Sequence, residues 1–389
     1  MNSKQIRLAF ALVSLIVVSD ASAEDGVTNS KIVFGQVAAL EGPAQALGRG
    51  MRQGILAAFA AANNDGGISG RSLELESVDD GYEPERTVEA TKDFVAHKNV
   101  FAFVGAVGTP TSKAAEPIAV EARMPFIGPF TGAEFLRNPY NRYLVNVRSS
   151  YFQEMEALVE HLTNDLGTSR IAILYQDDAF GLAGFEGVQR ALSKRNMSMV
   201  SVGSFRRNTT AIKSALLDII KGHPQAIVTV GPYKPVAAFI ELARQNQVDA
   251  VFTAVSFVGS DSLAAELGGQ GTGVVVSQVV PFPLDRSLPV VAAYQRDLAA
   301  VDGSANAGFV SLEGYLVGRL VVDTLKRLKG PPTREQFLDA IKLAPFDFGG
   351  VTLRYGATSN QGSDQVYFTI LQGDGTFKPV PRLTKLTAR

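Results

Sequence analysis

The stretch Phe103–Pro117 reads FVGAVGTPTSKAAEP. An apolar run stops at Gly105 and Gly108, and a helix-like pattern begins within a few residues. A phosphate loop is excluded by spacing. Five residues past Gly105 stands Pro110 rather than glycine, and no Gly-Lys-Ser/Thr follows. A nucleophile elbow needs G-x-S-x-G, which is absent. What remains is a strand running into a helix N-terminus, with Thr109 suited to the N-cap and Pro110 to the first helical position. The amides of Thr111 and Ser112 are then expected to be free, with the hydroxyls of Thr109, Thr111 and Ser112 as further donors. Such a terminus favours a carboxylate. Its chemistry is equally that of a plain cap with no ligand.

The same alternation extends outward. Lys31–Leu40 reads as a buried strand, and Met51, Ile55, Ala58, Phe59 and Ala62 then recur at helical spacing. Strands follow at Leu73–Val78, Val100–Val104 and Met124–Phe130, with a helix over Pro84–His97. The pattern restarts after Tyr143–Ser150, with strands at Arg170–Tyr175, near Val200, at Ala226–Val230, Ala250–Phe257 and Gly273–Val280. Helices are expected near Pro289–Val301, Phe309–Leu328 and Arg334–Leu343. VTLRY and QVYFTIL, in the tail from Gly350, read as a terminal pair of strands. Two βα series predict an α/β protein of two doubly wound domains. Ligands bind beyond the carboxyl ends of such strands, so two facing domains make a cleft.

Composition bounds the function. The chain has 389 residues, 46% hydrophobic and 19% charged, with a net charge of −1. Such a balance gives no argument for nucleic acid or an anionic membrane as partner. Lys4 and Arg7 precede an apolar run, Leu8–Val18, and the small-x-small pattern Ala21-Ser22-Ala23. That is a secretory leader, and the mature chain is expected to begin at Glu24 in the periplasm. There is no cysteine, which rules out disulfides and a lipoprotein anchor.

An enzyme finds little support. His97 and His161 read as helix positions and His223 lies in a turn. No H-E-x-x-H, cysteine pair or helix-opening G-x-G-x-x-G is present. The pairs Asp79-Asp80 and Asp177-Asp178 suggest metal only weakly, because adjacent residues at a strand end point in opposite directions. No cofactor or metal is expected. A ligand-sensing partner of a receptor is a third reading of the same fold.

Nearly end to end, the chain resembles the leucine/isoleucine/valine-binding protein family of ABC transporters. The resemblance is carried by LEGPAQALG (Leu40–Gly48), NNDGGISGRSLEL (Asn63–Leu75), VDDGYEPERTVEAT (Val78–Thr91), the opening stretch, YQDDAFGLAG (Tyr175–Gly184) and GPYKPVAAFI (Gly231–Ile240). It implies a type I periplasmic binding protein of two Rossmann-like domains, joined by a multi-crossing hinge and closing on a ligand. The implied division is a leader at 1–23, an N-terminal lobe from 27–148 and 281–347, and a C-terminal lobe from 149–280 completed by 348–389. Implied partners are a small-molecule ligand and an inner-membrane permease and ATPase, with the chain itself a monomer.

The resemblance also implies site residues. Gly108, Thr109, Thr111 and Ser112 match the stretch that holds a ligand carboxylate. Phe130, Thr131 and Gly132 match a second carboxylate contact with its own helix N-terminus. The family's hydroxyl there often falls one residue later, where this chain has Gly132. Leu47, Phe180 and Tyr233 match walls of the ligand pocket. Where the family has an acid for the ligand's ammonium, this chain has Ser256, followed by Phe257. Glu313, or else Asp177 or Asp178, is the expected substitute. The ligand is expected to be an apolar amino acid or, alternatively, an aromatic or other acid without an amine. Phe130, Phe180, Tyr233, Phe257 and Tyr315 suit an apolar tail.

Overall fold

A computed structural model describes residues 24–97 and 100–384. The leader read at residues 1–23 lies outside the described residues. Five parallel strands form the first sheet: β1 (Lys31–Ala38), β2 (Ser72–Asp79), β3 (Phe103–Val104), β4 (Phe126–Ile127) and β5 (Leu144–Val145), in the order β2-β1-β3-β4-β5. Helices α1 (Gln45–Asn64), α2 (Pro84–His97) and α3 (Thr109–Glu121) connect them. After α4 (Tyr151–Asn164) comes the second series: β6 (Ile171–Gln176), α5 (Ala179–Ser193), β7 (Val202–Phe205), α6 (Lys213–Ile220), β8 (Ala226–Val230), α7 (Tyr233–Gln245), β9 (Val251–Ala254), α8 (Ser260–Leu267) and β10 (Val275–Gln278). These five strands repeat the first order and are also parallel. Each sheet therefore reverses its winding beside its first strand, where crevices open at the strands' carboxyl ends.

Three helices follow, α9 (Pro289–Val301), α10 (Phe309–Lys326) and α11 (Arg334–Ile341). The first two pack on α1 of the first unit. Close approach of α1 and α10 requires small residues. A Cβ at Gly54 would collide with the α10 backbone, and one at Gly314 with the backbone of Met51. The chain thus passes between the two sheets after β5, after β10 and after α11. Two of these passages meet at a parallel bridge between Asn146 and Gln361.

The tail corrects one expectation. Thr352–Leu353, β12, pairs with β11 (Phe346–Asp347) and not with the strand after it. Tyr367–Leu371, β13, lies antiparallel to β10, and its other neighbour is β14 (Phe377–Val380). Strand β14 escapes a pattern reading because it carries Lys378 and Pro379, residues that suit only a sheet edge, and β14 is the edge. Among the described residues no helix is long and apolar enough to cross a membrane.

Candidate functional site

The turn from β3 into α3 differs from expectation by one residue. Gly108 is the N-cap, at φ 108°, and Thr109 is the first helical residue. A Cβ at Gly108 would run into the Tyr82 ring, so only glycine fits. Freed from capping, the Thr109 hydroxyl shares a 2.6 Å hydrogen bond with that of Thr131. The Ser112 amide already donates to Gly108 O at 3.0 Å, so it is not open as expected. The Thr111 hydroxyl turns back to Val107 O at 2.5 Å. By helix geometry the open donors of this turn are the amides of Thr109 and Thr111. Ser112 Oγ is buried and has no hydrogen-bond partner.

Beside it lies Phe130–Gly132. A three-residue 3-10 turn, Glu134–Leu136, follows rather than the expected α-helix end. Gly132 is pressed against Tyr151, where a hydroxyl-bearing side chain would collide. The Tyr151 hydroxyl is buried near those of Thr109 and Thr131, but completes no hydrogen bond of good geometry.

The base of the cleft is built on two arginines of the hinge. Arg137 is satisfied by Gln361 Oε1 at 2.8 Å, Ala133 O at 2.9 Å and Arg148 O at 3.1 Å. Burial, then repulsion from Arg148, pushes its pKa down to about 10. Arg148 is 1% exposed. Its Nη2 donates to Ser256 Oγ, while Nε and Nη1 have no hydrogen-bond partner. Glu313 Oε1 stands 3.5 Å from Nε, and Glu154 Oε1 lies 3.7 Å from Nη2. Burial opposes the charge of Arg148, but Glu313 and Glu154 together hold its pKa above the ordinary value. Glu313 is pushed up to about 7, because burial and then Glu154 outweigh the attraction of the arginines. The Glu154 carboxylate accepts from Ser256 N at 3.0 Å, Ser256 Oγ at 3.0 Å and Ser277 Oγ at 2.7 Å.

Aromatic rings line the rest. Phe257 lies 4.5 Å from Phe180, 5.3 Å from Phe130 and 6.1 Å from Tyr82, between ring centroids. Arg148 sits over the Phe130 ring at 4.8 Å. Leu47 and Tyr233 meet beside Gly259, across the two halves. Tyr315 is not part of this wall. Its hydroxyl donates to Asp297 of α9 at 2.7 Å, because two residues along a helix turn it away from Glu313.

The two halves are closed on each other. At one lip Arg207 bridges Glu83 at 2.8 Å and Asp178 at 3.2 Å, and Asn208 bonds Glu83 and the Gly81 carbonyl. Asp178 also caps α5, so it is not a free acid, and Asp177 is exposed. Asp79 and Asp80 are likewise taken up by turn amides, Arg86 and Thr87. At the other lip Asp261 accepts from Phe309 N at 3.0 Å, capping α10 from the opposite half. Glu83→Gln is expected to shift the balance toward the open form by about 0.5–1 kcal/mol, since the pair is partly exposed. A larger radius of gyration for the ligand-free variant checks this.

The structure thus brings together Thr109, Thr131, Phe130, Phe180, Ser256 and Glu313, and places Leu47 with Tyr233 at a separate point of contact. Sequence reasoning missed Arg148, Tyr151, Tyr82 and Glu154. An arginine inside the apolar run YLVNVRSS was the available signal for the first.

Two doubly wound halves closed on a seam of buried donors and aromatic rings define the class of two-lobed solute-binding proteins. The chain belongs to the periplasmic binding protein family, whose sequence pattern matches residues 31–376. That family binds solutes and is not catalytic. A structure described as a possible leucine/isoleucine/valine-binding protein from Rhodopirellula baltica superposes with a TM-score of 0.87 at 37% identity, covering 93% of this chain and 98% of that one. A substrate-binding periplasmic protein from Ralstonia solanacearum gives 0.84 at 28%, covering 90% and 99%. The Leu/Ile/Val-binding protein homolog 7 of Brucella abortus is 21% identical, with 90% of each chain covered.

Proposed function

We propose that the chain is the solute-binding component of an ABC importer and captures a small carboxylate ligand by closing its lobes. The observation that carries this reading is a set of buried polar atoms without a hydrogen-bond partner, Arg148 Nη1, Ser112 Oγ and the Tyr151 hydroxyl, beside an aromatic wall. Unmet buried donors are costly, and a carboxylate meets them with charge-assisted hydrogen bonds. Export through the leader at 1–23, delivery to a permease and ATPase, and the lobe boundaries given above belong to the same reading. The leucine/isoleucine/valine-binding relatives favour an apolar amino acid as ligand. The facing of Glu154 and Glu313 toward Arg148 favours an acid without an amine.

The test combines scattering and calorimetry. A saturating ligand should lower the radius of gyration and leave the ligand chemically unchanged. Thr109→Val removes the hydroxyl pair with Thr131 beside the open amides and should weaken a carboxylate ligand by roughly 0.5–1.5 kcal/mol, about 2- to 12-fold. Tight binding without compaction, or binding indifferent to Thr109→Val, counts against the reading.

A further inference from the structure

Two arginines are buried side by side at the hinge, and only one has its donors filled. Arg137 commits its donors to Gln361 and to backbone carbonyls. Arg148 keeps Nη1 without a hydrogen-bond partner in a fully buried position, and its Nε faces Glu313 Oε1 at 3.5 Å, beyond good hydrogen-bond geometry. A guanidinium fork is shaped for a planar carboxylate and gains most where water is excluded. Ser112 Oγ and the Tyr151 hydroxyl present the same demand. Among the described residues the buried acceptors without a partner, Gln176 Oε1, Asn146 Oδ1 and Asn208 Oδ1, are neutral amide oxygens and supply no charge to offset an ammonium. Glu154 is filled by Ser256 and Ser277. Glu313 faces the Nε of Arg148, so an ammonium delivered there would stand beside a like charge in a poorly screened site.

We propose that the ligand is a monocarboxylate with an apolar, ring-bearing body and no α-ammonium, gripped by Arg148, and that Glu313 takes up a proton as it binds. This rests on the reading of the cleft as the ligand site. The charge count supports it. Arg137 and Arg148 balance Glu154 and Glu313 when both acids are ionised. A carboxylate adds one negative charge, and Glu313 is the group that yields. The charged groups facing Glu313 are Arg148 from the hinge, Glu154 from α4 and Arg137 from the segment after β4. Burial already holds Glu313 at about 7, so a neighbouring carboxylate raises it further and the site gains a proton at pH 8. A zwitterion does the opposite, because its ammonium stabilises ionised Glu313 and expels the proton. The sign of the proton count therefore reports the ligand's class. The body of the ligand is matched by the rings of Tyr82, Phe130, Phe180 and Phe257.

The experiment uses two matched pairs on the full mature chain, 3-phenylpropanoate against L-phenylalanine and 4-methylpentanoate against L-leucine. Members of a pair differ only in the ammonium. Calorimetry in two buffers of different ionisation heat gives affinity and protons exchanged, and scattering gives compaction. The expected result is tighter binding of the acid without the amine, by tenfold or more in each pair. Proton uptake should accompany it, with affinity falling roughly tenfold per pH unit above pH 7. Arg148→Lys, which keeps the charge and loses the fork, should weaken 3-phenylpropanoate tenfold or more with an unchanged far-UV spectrum. A smaller gap, a reversed order, proton release, or an Arg148→Lys variant of undiminished affinity overturns the proposal. Tight, compacting binding of an amino acid overturns it while leaving the cleft reading in place. Failure of all four compounds to bind or compact the chain removes both.

Discussion

Arg148→Met is expected to lower the unfolding free energy by about 3–5 kcal/mol at pH 8 and by clearly less at pH 5. The substitution keeps most of the apolar volume and removes the cation that lies 3.7 Å from Glu154 and 3.5 Å from Glu313. Breaking a buried ion pair from one side costs about this much, because the remaining charges stay buried without compensation. The two acids differ in how they respond. Glu154 keeps three hydrogen-bond donors from Ser256 and Ser277. Glu313 loses its nearer cation, keeps only the weaker attraction of Arg137, and relieves itself by taking a proton, which acid solution supplies. The pH dependence therefore separates charge from packing. Denaturant titrations at both pH values check it, and an equal loss at pH 5 and pH 8 would assign the effect to packing alone.

The same contrast explains what is legible in the sequence. Helix α9 is legible with its observed ends, Pro289 and Val301, since a proline at the first turn and a clear apolar stripe mark it locally. The buried run Val100–Val104 is legible as apolar, and its pairing is shorter than the run: Phe101 and Ala102 exchange hydrogen bonds with β1, and the regular strand is Phe103–Val104. Apolar sequence reports burial, and pairing is settled by neighbouring strands. The hydroxyl-rich turn at Thr109 is legible because capping is local. Its exact cap is not, because Gly108 is required by the ring of Tyr82, a side chain from another loop. Arg148 is illegible for a stronger reason. Its partners Phe130, Glu154, Ser256 and Glu313 come from four separate parts of the chain and both halves of the fold. No periodicity carries that information. A charge inside an apolar run signals a buried partner without saying which.

Glu313→Gln is the sharper test of what the cluster costs the protein. In the folded chain Glu313 titrates at about 7, against an ordinary value of 4.5. Below pH 4.5 the side chain is neutral in both the folded and unfolded states, and burial carries no charge penalty. Between 4.5 and 7 the unfolded chain has released the proton while the folded chain keeps it. The folded state binds more protons there, so stability falls as pH rises. Above 7 the full penalty stands, and the raised pKa corresponds to about 3 kcal/mol. The glutamine amide has the shape of the protonated acid and no charge to desolvate. The variant should match the parent near pH 4.5 and exceed it by about 2–3 kcal/mol at pH 8, read from denaturant midpoints across that range. A variant less stable than the parent at pH 8 would mean that Arg148 needs the charge of Glu313 more than burial resists it. The expected gain has a functional meaning. A buried acid that lowers stability at neutral pH is the kind of group found where protonation serves a binding site, which is the role proposed for Glu313.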